Sequence, residues 1–170
     1  SQVHKQYLII QDRPVLYYSL KAFEDSAVDE IVLVVGKGEE EFCRKEIVDK
    51  YGISKVKAIV EGGKERYHSV FEGLKQTSDA DYVLIHDGAR PFVNQDIIRR
   101  CMQEVQKYQA CVVGMPVKDT IKIADEEGYA KQTPDRKNVW MIQTPQTFSY
   151  ALIYEAYEEM LKTEDTAITD

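Results

Sequence analysis

Three polar residues with complementary chemistry follow a short apolar run in the stretch 81–92, DYVLIHDGARPF. His86, Asp87 and Arg90 come after residues 83–85, which are typical of a buried strand, and a Gly and a Pro mark a turn there. Ligands of open α/β sheets bind beyond the carboxyl ends of the strands. We therefore predict that these side chains face a crevice; the alternative is a surface ion pair on a loop.

The carboxylate of Asp87 could hold Mg²⁺, a hard cation that takes few oxygens from the protein and several from phosphates. Hydrogen bonding within the loop is the alternative for the same carboxylate. His4, His68 and His86 are too scattered to predict a metal site, and the chain has no GxSxG nucleophile elbow. We predict that His68 is an exposed helix residue and that His86 is a structural hydrogen-bond donor at the end of the strand.

A second junction between a strand and a helix carries the sequence EGGKER at residues 61–66. Free backbone N–H groups at the start of a helix favour an anion or the polar edge of a base. A plain Gly-Gly turn is the alternative, with Arg66 pairing to Glu65 or Glu72 on a solvated face. Ser69 lies one helical turn further on, where an ordinary helix serine is the simpler interpretation.

The elements that must position these residues alternate along the chain. Apolar runs predict strands at 7–10, 31–35, 56–60, 83–85, 111–117 and 139–142. Helical spacing predicts a helix after each of the first four runs and another at 150–161, and Asn94 is a predicted helix cap. This alternation predicts an α/β fold with a doubly wound, mostly parallel sheet and right-handed crossovers.

Residues 118–137 break the alternation. Apolar and polar residues alternate at 120–123 and again at 129–133, on either side of a turn at 125–128, so we predict a β-hairpin arm that projects from the sheet. A hairpin this small cannot bury its own apolar side chains. We therefore expect the arm to pack against a second subunit and to form a homodimer.

Composition excludes several classes of protein. The chain has 170 residues, of which 44% are hydrophobic, enough for the core of one domain. Its net charge of −7 argues against a general nucleic-acid binder, and no apolar run reaches membrane-spanning length. Three cysteines without a CxxC pair predict neither a disulfide framework nor a zinc site, which favours a reducing compartment.

Several motifs, in order, resemble those of the 2-C-methyl-D-erythritol 4-phosphate cytidylyltransferases of the non-mevalonate isoprenoid pathway. They are KQYL, EGGKERYHSV, HDGARPF, PVKDTIK, TPDRKNVW, QTPQTF and ITD, and they extend over nearly the whole chain. The KQYL and QTPQ pieces are shared with the ribitol-5-phosphate cytidylyltransferases, whereas HDGARP and the DR…W stretch favour the erythritol enzymes.

The resemblance implies a Rossmann-like nucleotidyltransferase of the bacterial cytoplasm that uses Mg²⁺. Its reaction would transfer CMP from CTP to 2-C-methyl-D-erythritol 4-phosphate and release pyrophosphate. A ribitol-5-phosphate cytidylyltransferase and a non-catalytic nucleotide-binding domain are the alternatives.

The resemblance also assigns roles to residues. Lys5 and Arg136 correspond to the catalytic cations, and Asp87 to the aspartate near the metal. The residues that correspond to nucleotide-binding positions are Gly63, Lys64, Ser69, Asp87 and Gly88. The residues that correspond to substrate-binding positions are Arg90, Thr120, Arg136, Thr144 and Thr169. Arg136 is expected to reach into the neighbouring subunit's site; an ion pair with Asp135 is the alternative.

The chain differs from these relatives in one respect. The family begins with a strand and a Gly-rich loop of the form AAGxGxRM, which holds the triphosphate, and ends with a further strand and a lysine that meets the substrate. Neither is found in residues 1–170. We expect a single cytidylyltransferase domain, 1–170, that lacks both ends and shows little or no activity by itself, because a central strand and the main triphosphate cradle are missing.

Overall fold

The computed structural model describes residues 4–163. The helices are α1 (Val15–Glu24), α2 (Glu40–Cys43), α3 (Arg66–Leu74), α4 (Gln95–Tyr108) and α5 (Tyr150–Thr163). The strands are β1 (Ile9–Ile10), β2 (Arg13–Pro14), β3 (Ile31–Val35), β4 (Val56–Glu61), β5 (Tyr82–Ile85), β6 (Ala110–Pro116), β7 (Ile123–Ala124), β8 (Ala130–Gln132) and β9 (Trp140–Ser149). None of the helices within 4–163 combines the length and apolar character needed to cross a bilayer.

Local signals in the sequence account for several element boundaries. The side chain of Asn94 accepts a hydrogen bond from the Ile97 N–H at 3.0 Å, so the predicted cap of α4 is confirmed. Helix α2 continues as a π-helical segment, Arg44–Asp49, and Gly52 follows with a φ of +65° that L side chains rarely adopt. The predicted helix of this region therefore exists, but its second half is wound more loosely.

The predicted α/β class is confirmed, whereas the described strand pairings are mixed rather than mostly parallel. Strand β3 pairs with β4 in parallel, but β9 lies between β5 and β6 and runs antiparallel to both. The difference has a simple cause. Strand β6 leads into the hairpin arm and β9 returns directly from it, and a chain that reverses direction through a hairpin must pair antiparallel.

The arm is a hairpin, as predicted. Strands β7 and β8 pair antiparallel, with Ile123 opposite Gln132. A row of large apolar side chains on the arm and on the adjoining part of β9 is exposed: Ile123, Tyr129, Trp140, Met141 and Ile142. The arm therefore adds almost nothing to the core of its own chain.

The core packs α1, α2 and the π-helical segment against β3 and β4, with Leu16, Leu33 and Ile47 fully or nearly buried. A cavity of about 950 Å³ lies on the other side of β3, between β3 and β5. Consecutive residues of both strands line it, which indicates that the strand edges border the cavity. Within residues 4–163, β3 pairs only with β4 and β5 only with β9, so these two edges have no partner strand.

Candidate active site

The carboxylate of Asp87 lies between two arginines at the end of β5. Its Oδ1 accepts a hydrogen bond from Arg66 Nε at 3.1 Å, and its Oδ2 accepts one from Arg90 Nε at 2.9 Å. Arg66 is the first residue of α3, and Arg90 belongs to the turn after β5. We call these three residues the Arg66–Asp87–Arg90 cluster; it joins two of the junctions that the sequence predicts as sites.

Two charges stabilise the ionised form of this carboxylate. Partial burial alone would raise the pKa of Asp87, but the hydrogen bond from Arg90 and the charge and hydrogen bond of Arg66 outweigh burial, so the pKa lies below its ordinary value. Asp87 is therefore an anion at neutral pH. The surrounding guanidinium groups leave a local excess of positive charge in a protein whose net charge is negative.

A hydrogen-bonded chain fixes the turn that carries Asp87. The Asp87 N–H donates to Thr144 Oγ1 at 3.2 Å, and that hydroxyl lies 2.9 Å from His86 Nδ1. His86 Nε2 lies 3.0 Å from the Arg90 carbonyl oxygen, which can only accept. His86 therefore donates through Nε2, and in the neutral ring Nδ1 accepts the Thr144 hydroxyl proton.

Burial lowers the pKa of His86, although the Arg90 carbonyl and the Asp87 charge act in the opposite direction. A lowered pKa favours the neutral ring, in which Nδ1 accepts the Thr144 hydroxyl proton. The prediction that His86 is a structural donor is confirmed. Ser19 of α1 adds a further anchor, because its hydroxyl lies 3.0 Å from the Gly88 carbonyl oxygen and 3.1 Å from that of Arg90.

The Gly-Gly junction packs tightly against the first turn of α3. Ser69 Oγ accepts a hydrogen bond from the Gly63 N–H at 3.1 Å, and a Cβ on Gly62 would lie only 2.6 Å from the same oxygen. Ser69 is therefore more than an ordinary helix serine, since it holds the glycine turn. His68 is half-buried, and its Nδ1 accepts the Glu65 N–H at 3.4 Å within a capping box, so the prediction of an exposed helix residue is wrong.

One cavity brings three predicted site segments together. Its lining includes Gln6 and Tyr7, which follow Lys5, together with Ser69 and the turn residues Asp87 and Gly88. Lys5 itself is exposed and begins a single 3₁₀ turn, Lys5–Tyr7. Lys64 is also exposed, beside the glycine turn.

The predicted residues of the arm lie apart from this cavity. Thr120 and Arg136 are exposed, neither lines the cavity, and Arg136 Nη1 donates to the Lys118 carbonyl oxygen at 3.0 Å. Thr144 is at the cluster, but its hydroxyl is engaged in holding the turn. Thr169 lies outside the described residues.

Sequence reasoning did not identify the partner of Arg66. The sequence suggested Glu65 or Glu72, which are close along the chain, whereas Asp87 is distant in sequence and adjacent in space. It also missed two glutamines of β9: Gln143 accepts from Arg90, and Gln146 accepts from Arg66 Nη2 at 3.5 Å. The QTPQ motif contains both, and its two amides flank the cluster.

The described residues contain one carboxylate suited to a divalent cation at this place. No group of three or more His, Cys, Asp or Glu side chains within 4–163 is arranged to hold a metal ion. A single aspartate still fits Mg²⁺, because phosphates of a bound nucleotide can supply the other oxygens. Each oxygen of the Asp87 carboxylate has two lone pairs, and Oδ2 accepts from Arg90, so this oxygen can also face a cation.

Known proteins resemble this chain over its whole length. A family described as 2-C-methyl-D-erythritol 4-phosphate cytidylyltransferase matches residues 1–170. The relative of that name from Lachnoclostridium phytofermentans is 49% identical over 170 residues, which are 100% of this chain and 73% of the relative. The one from Lachnospira eligens is 53% identical over 161 residues, 94% of this chain and 70% of the relative.

Solved structures agree with these matches. The 4-diphosphocytidyl-2C-methyl-D-erythritol synthase of Anaerococcus prevotii superposes with a TM-score of 0.87 at 35% identity, covering 98% of this chain and 73% of that one. The 2-C-methyl-D-erythritol 4-phosphate cytidylyltransferase of Thermus thermophilus superposes with a TM-score of 0.79 at 32% identity, and the match covers 97% of this chain and 75% of that one.

Proposed function

The chain belongs to the 2-C-methyl-D-erythritol 4-phosphate cytidylyltransferase family, and we propose on that basis that it transfers the cytidylyl group of CTP to 2-C-methyl-D-erythritol 4-phosphate. A phosphate oxygen of the sugar phosphate attacks the α-phosphorus of CTP. The bond from that phosphorus to the bridging oxygen of the β-phosphate breaks, and pyrophosphate leaves. The observation that carries this proposal is the family match across residues 1–170.

Catalysis of this transfer depends on positioning and on matching negative charge, with little covalent chemistry for the protein to perform. We assign to Lys5 the stabilisation of the transition state at the α-phosphate. Gln6 and Tyr7 of its turn line the same cavity as Arg66 and Asp87, which supports the assignment. Within the cluster, Arg90 is proposed to meet nucleotide and substrate, and Arg66 to hold Asp87 in place.

The nucleotide is proposed to bind along the glycine turn and the turn after β5. Gly63, Lys64 and Ser69 would meet the cytosine and ribose, as the resemblance implies, and the exposure of Gly63 and Lys64 beside the first turn of α3 supports this. Gly88 and Asp87 would lie near the ribose and phosphates. Asp87 is also the proposed ligand of Mg²⁺, an ion that, when bound, neutralises charge on the triphosphate.

We propose that the arm, 118–137, forms a homodimer contact and delivers Thr120 and Arg136 to the partner's substrate. Two observations support this. The apolar row on the arm and β9 is exposed in the single chain, as interface residues are before assembly. Arg136 is also exposed on the arm and does not line its own chain's cavity, which agrees with a role at the substrate of another copy.

We also propose that the described sheet is part of a larger, doubly wound Rossmann-like sheet, completed by the first strand that the resemblance implies. The cavity between β3 and β5 supports this proposal, since two strand edges and apolar side chains such as Val34 and Leu84 line it. A strand placed there would pair with both edges and fill the apolar part of the cavity between them, and the polar lining at the carboxyl end of β5, which includes Asp87 and Gly88, would remain beside it as the proposed site.

Location in the bacterial cytoplasm is a further proposal. The three cysteines are free thiols, as in a reducing compartment, and the named relatives are bacterial.

Steady-state assays of the full-length protein test the proposed reaction. Pyrophosphate release should depend on CTP, Mg²⁺ and 2-C-methyl-D-erythritol 4-phosphate, and the matched control is ribitol 5-phosphate. A preference for ribitol 5-phosphate would reassign the enzyme within the larger group. A failure to bind CTP in calorimetry would instead indicate a non-catalytic domain.

A further inference from the structure

One glutamate that the sequence analysis did not identify holds the turn that carries Lys5. The carboxylate of Glu39, immediately before α2, accepts through Oε2 the Tyr7 hydroxyl at 2.7 Å and the Gly36 N–H at 3.0 Å. His4 Nδ1 lies 3.5 Å from Oε1 of the same group. A single carboxylate therefore joins the segment before β1 to the carboxyl end of β3.

Tyr7 is fixed on its other sides as well. Its hydroxyl oxygen lies 3.1 Å from Cys43 Sγ, and its ring meets Phe42 edge-on with centroids 5.3 Å apart. Burial, followed by the hydrogen bonds to Cys43 and Glu39, raises the pKa of Tyr7 far above its ordinary value. The phenol consequently remains protonated and serves as a permanent donor to the carboxylate.

Gly36, the residue after β3, leaves space for the Glu39 carboxylate where it stands. A Cβ at Gly36 would lie 2.7 Å from Glu39 Oε2, closer than such contacts allow. The Gly36 N–H and the absence of a side chain thus place the carboxylate. Because the main chain directly after β3 defines the site of Glu39, Tyr7 is docked next to the end of a strand.

We propose that Glu39, acting through Tyr7, is a positioning residue for Lys5. This inference rests on the proposed catalytic role of Lys5. Lys5 begins the 3₁₀ turn that Tyr7 ends, and the Leu8 N–H closes the turn on the Lys5 carbonyl oxygen at 3.3 Å. The Lys5 side chain is exposed, so the docked turn is what sets the position of its backbone. A displacement of about 1 Å in a catalytic group can cost up to about a hundredfold in rate.

The test is a double-mutant cycle of Tyr7→Phe and Lys5→Ala in the full-length enzyme, with kcat and the KM for CTP measured separately. Tyr7→Phe keeps the ring on Phe42 and removes only the hydroxyl. We expect a kcat about tenfold lower, with KM for CTP changed by less than about twofold. In the Lys5→Ala background the same substitution should have no further effect on kcat, because the group that it positions is gone.

Two further variants sharpen the result. Gly36→Ala should reproduce the kcat loss of Tyr7→Phe from the opposite side of the carboxylate. Tyr18→Phe is the matched control, since the Tyr18 hydroxyl donates to the Ile10 carbonyl at 2.6 Å in the same segment but does not touch Glu39; its kcat should stay at the wild-type value.

The outcomes separate this inference from the proposed function. An unchanged kcat in Lys5→Ala would reject the catalytic role of Lys5, and this inference with it. A lowered kcat in Lys5→Ala, together with a wild-type kcat in Tyr7→Phe, would overturn the positioning role alone. Equal losses from Tyr7→Phe in both backgrounds would also overturn it, because they would indicate general structural damage.

Discussion

Replacing Thr144 by valine should destabilise the protein by removing one hydroxyl that has two partners. The Thr144 Oγ1 atom accepts from the Asp87 N–H at 3.2 Å and lies 2.9 Å from His86 Nδ1. Valine has nearly the same shape, so packing is preserved while both partners lose their hydrogen bond. Each partly buried group left unpaired costs about 1 to 1.5 kcal/mol. We therefore expect the free energy of unfolding to fall by about 2 to 3 kcal/mol.

Urea denaturation of the full-length protein measures this change. The midpoint should fall while the slope m stays constant, because the surface exposed on unfolding is unchanged. The matched control is Thr144→Ser, which retains Oγ and should lie within about 0.5 kcal/mol of the wild type. A loss below about 0.5 kcal/mol in Thr144→Val would refute the hydrogen-bonded chain. Nitrogen NMR of His86 gives an independent check, since the contact with the Arg90 carbonyl oxygen predicts that the neutral ring carries its proton on Nε2.

Three other predictions concern pH, nucleotide and substrate. Burial keeps the pKa of His86 below its ordinary 6.5, so on acidification the unfolded state takes up a proton before the native state does. The free energy of unfolding should therefore fall as the pH is lowered from about 7.5 to about 5.5. Urea titrations of His86→Gln at several pH values should show a weaker dependence on pH. Ser69→Ala leaves the Gly63 N–H without its acceptor, so the KM for CTP should rise about fivefold with kcat nearly constant, whereas an unchanged KM would remove Ser69 from the nucleotide site. Arg136→Ala should raise mainly the KM for the sugar phosphate, by about tenfold or more, and mixed dimers of Arg136→Ala and Lys5→Ala chains should regain activity if the site is shared between subunits.

Local sequence patterns were sufficient to predict several strands and helices and one helix cap. Apolar runs gave β3, β4 and β5 within a residue or two, and Asn94 marked the start of α4, because these features depend on neighbours along the chain. The strand pairings did not follow from the sequence in the same way. Strand β9 lies antiparallel between β5 and β6 because the chain turns back after the arm. A short apolar run does not reveal whether its strand pairs parallel or antiparallel, since the apolar pattern is the same in both cases.

In the candidate site as well, contacts between residues close in sequence were predicted and contacts between distant residues were not. Asp87 and Arg90 were predicted together because they are three positions apart, and they do bond to each other. The partnership of Arg66 with Asp87, and that of Tyr7 with Glu39, span 21 and 32 residues. Neither pair has a spacing that a helix or strand would mark, so no sequence pattern could identify them.

The sequence by itself thus determined the class of fold, the residue types at each strand end and the family to which the motifs point. The tertiary structure alone decided which of those residues meet, namely that Arg66 and Arg90 share one carboxylate and that Glu39 anchors the turn of Lys5. The physical reason is that periodicity records only which side of an element is buried. The contacts between elements depend on how separate faces pack, and that information is distributed over the whole chain.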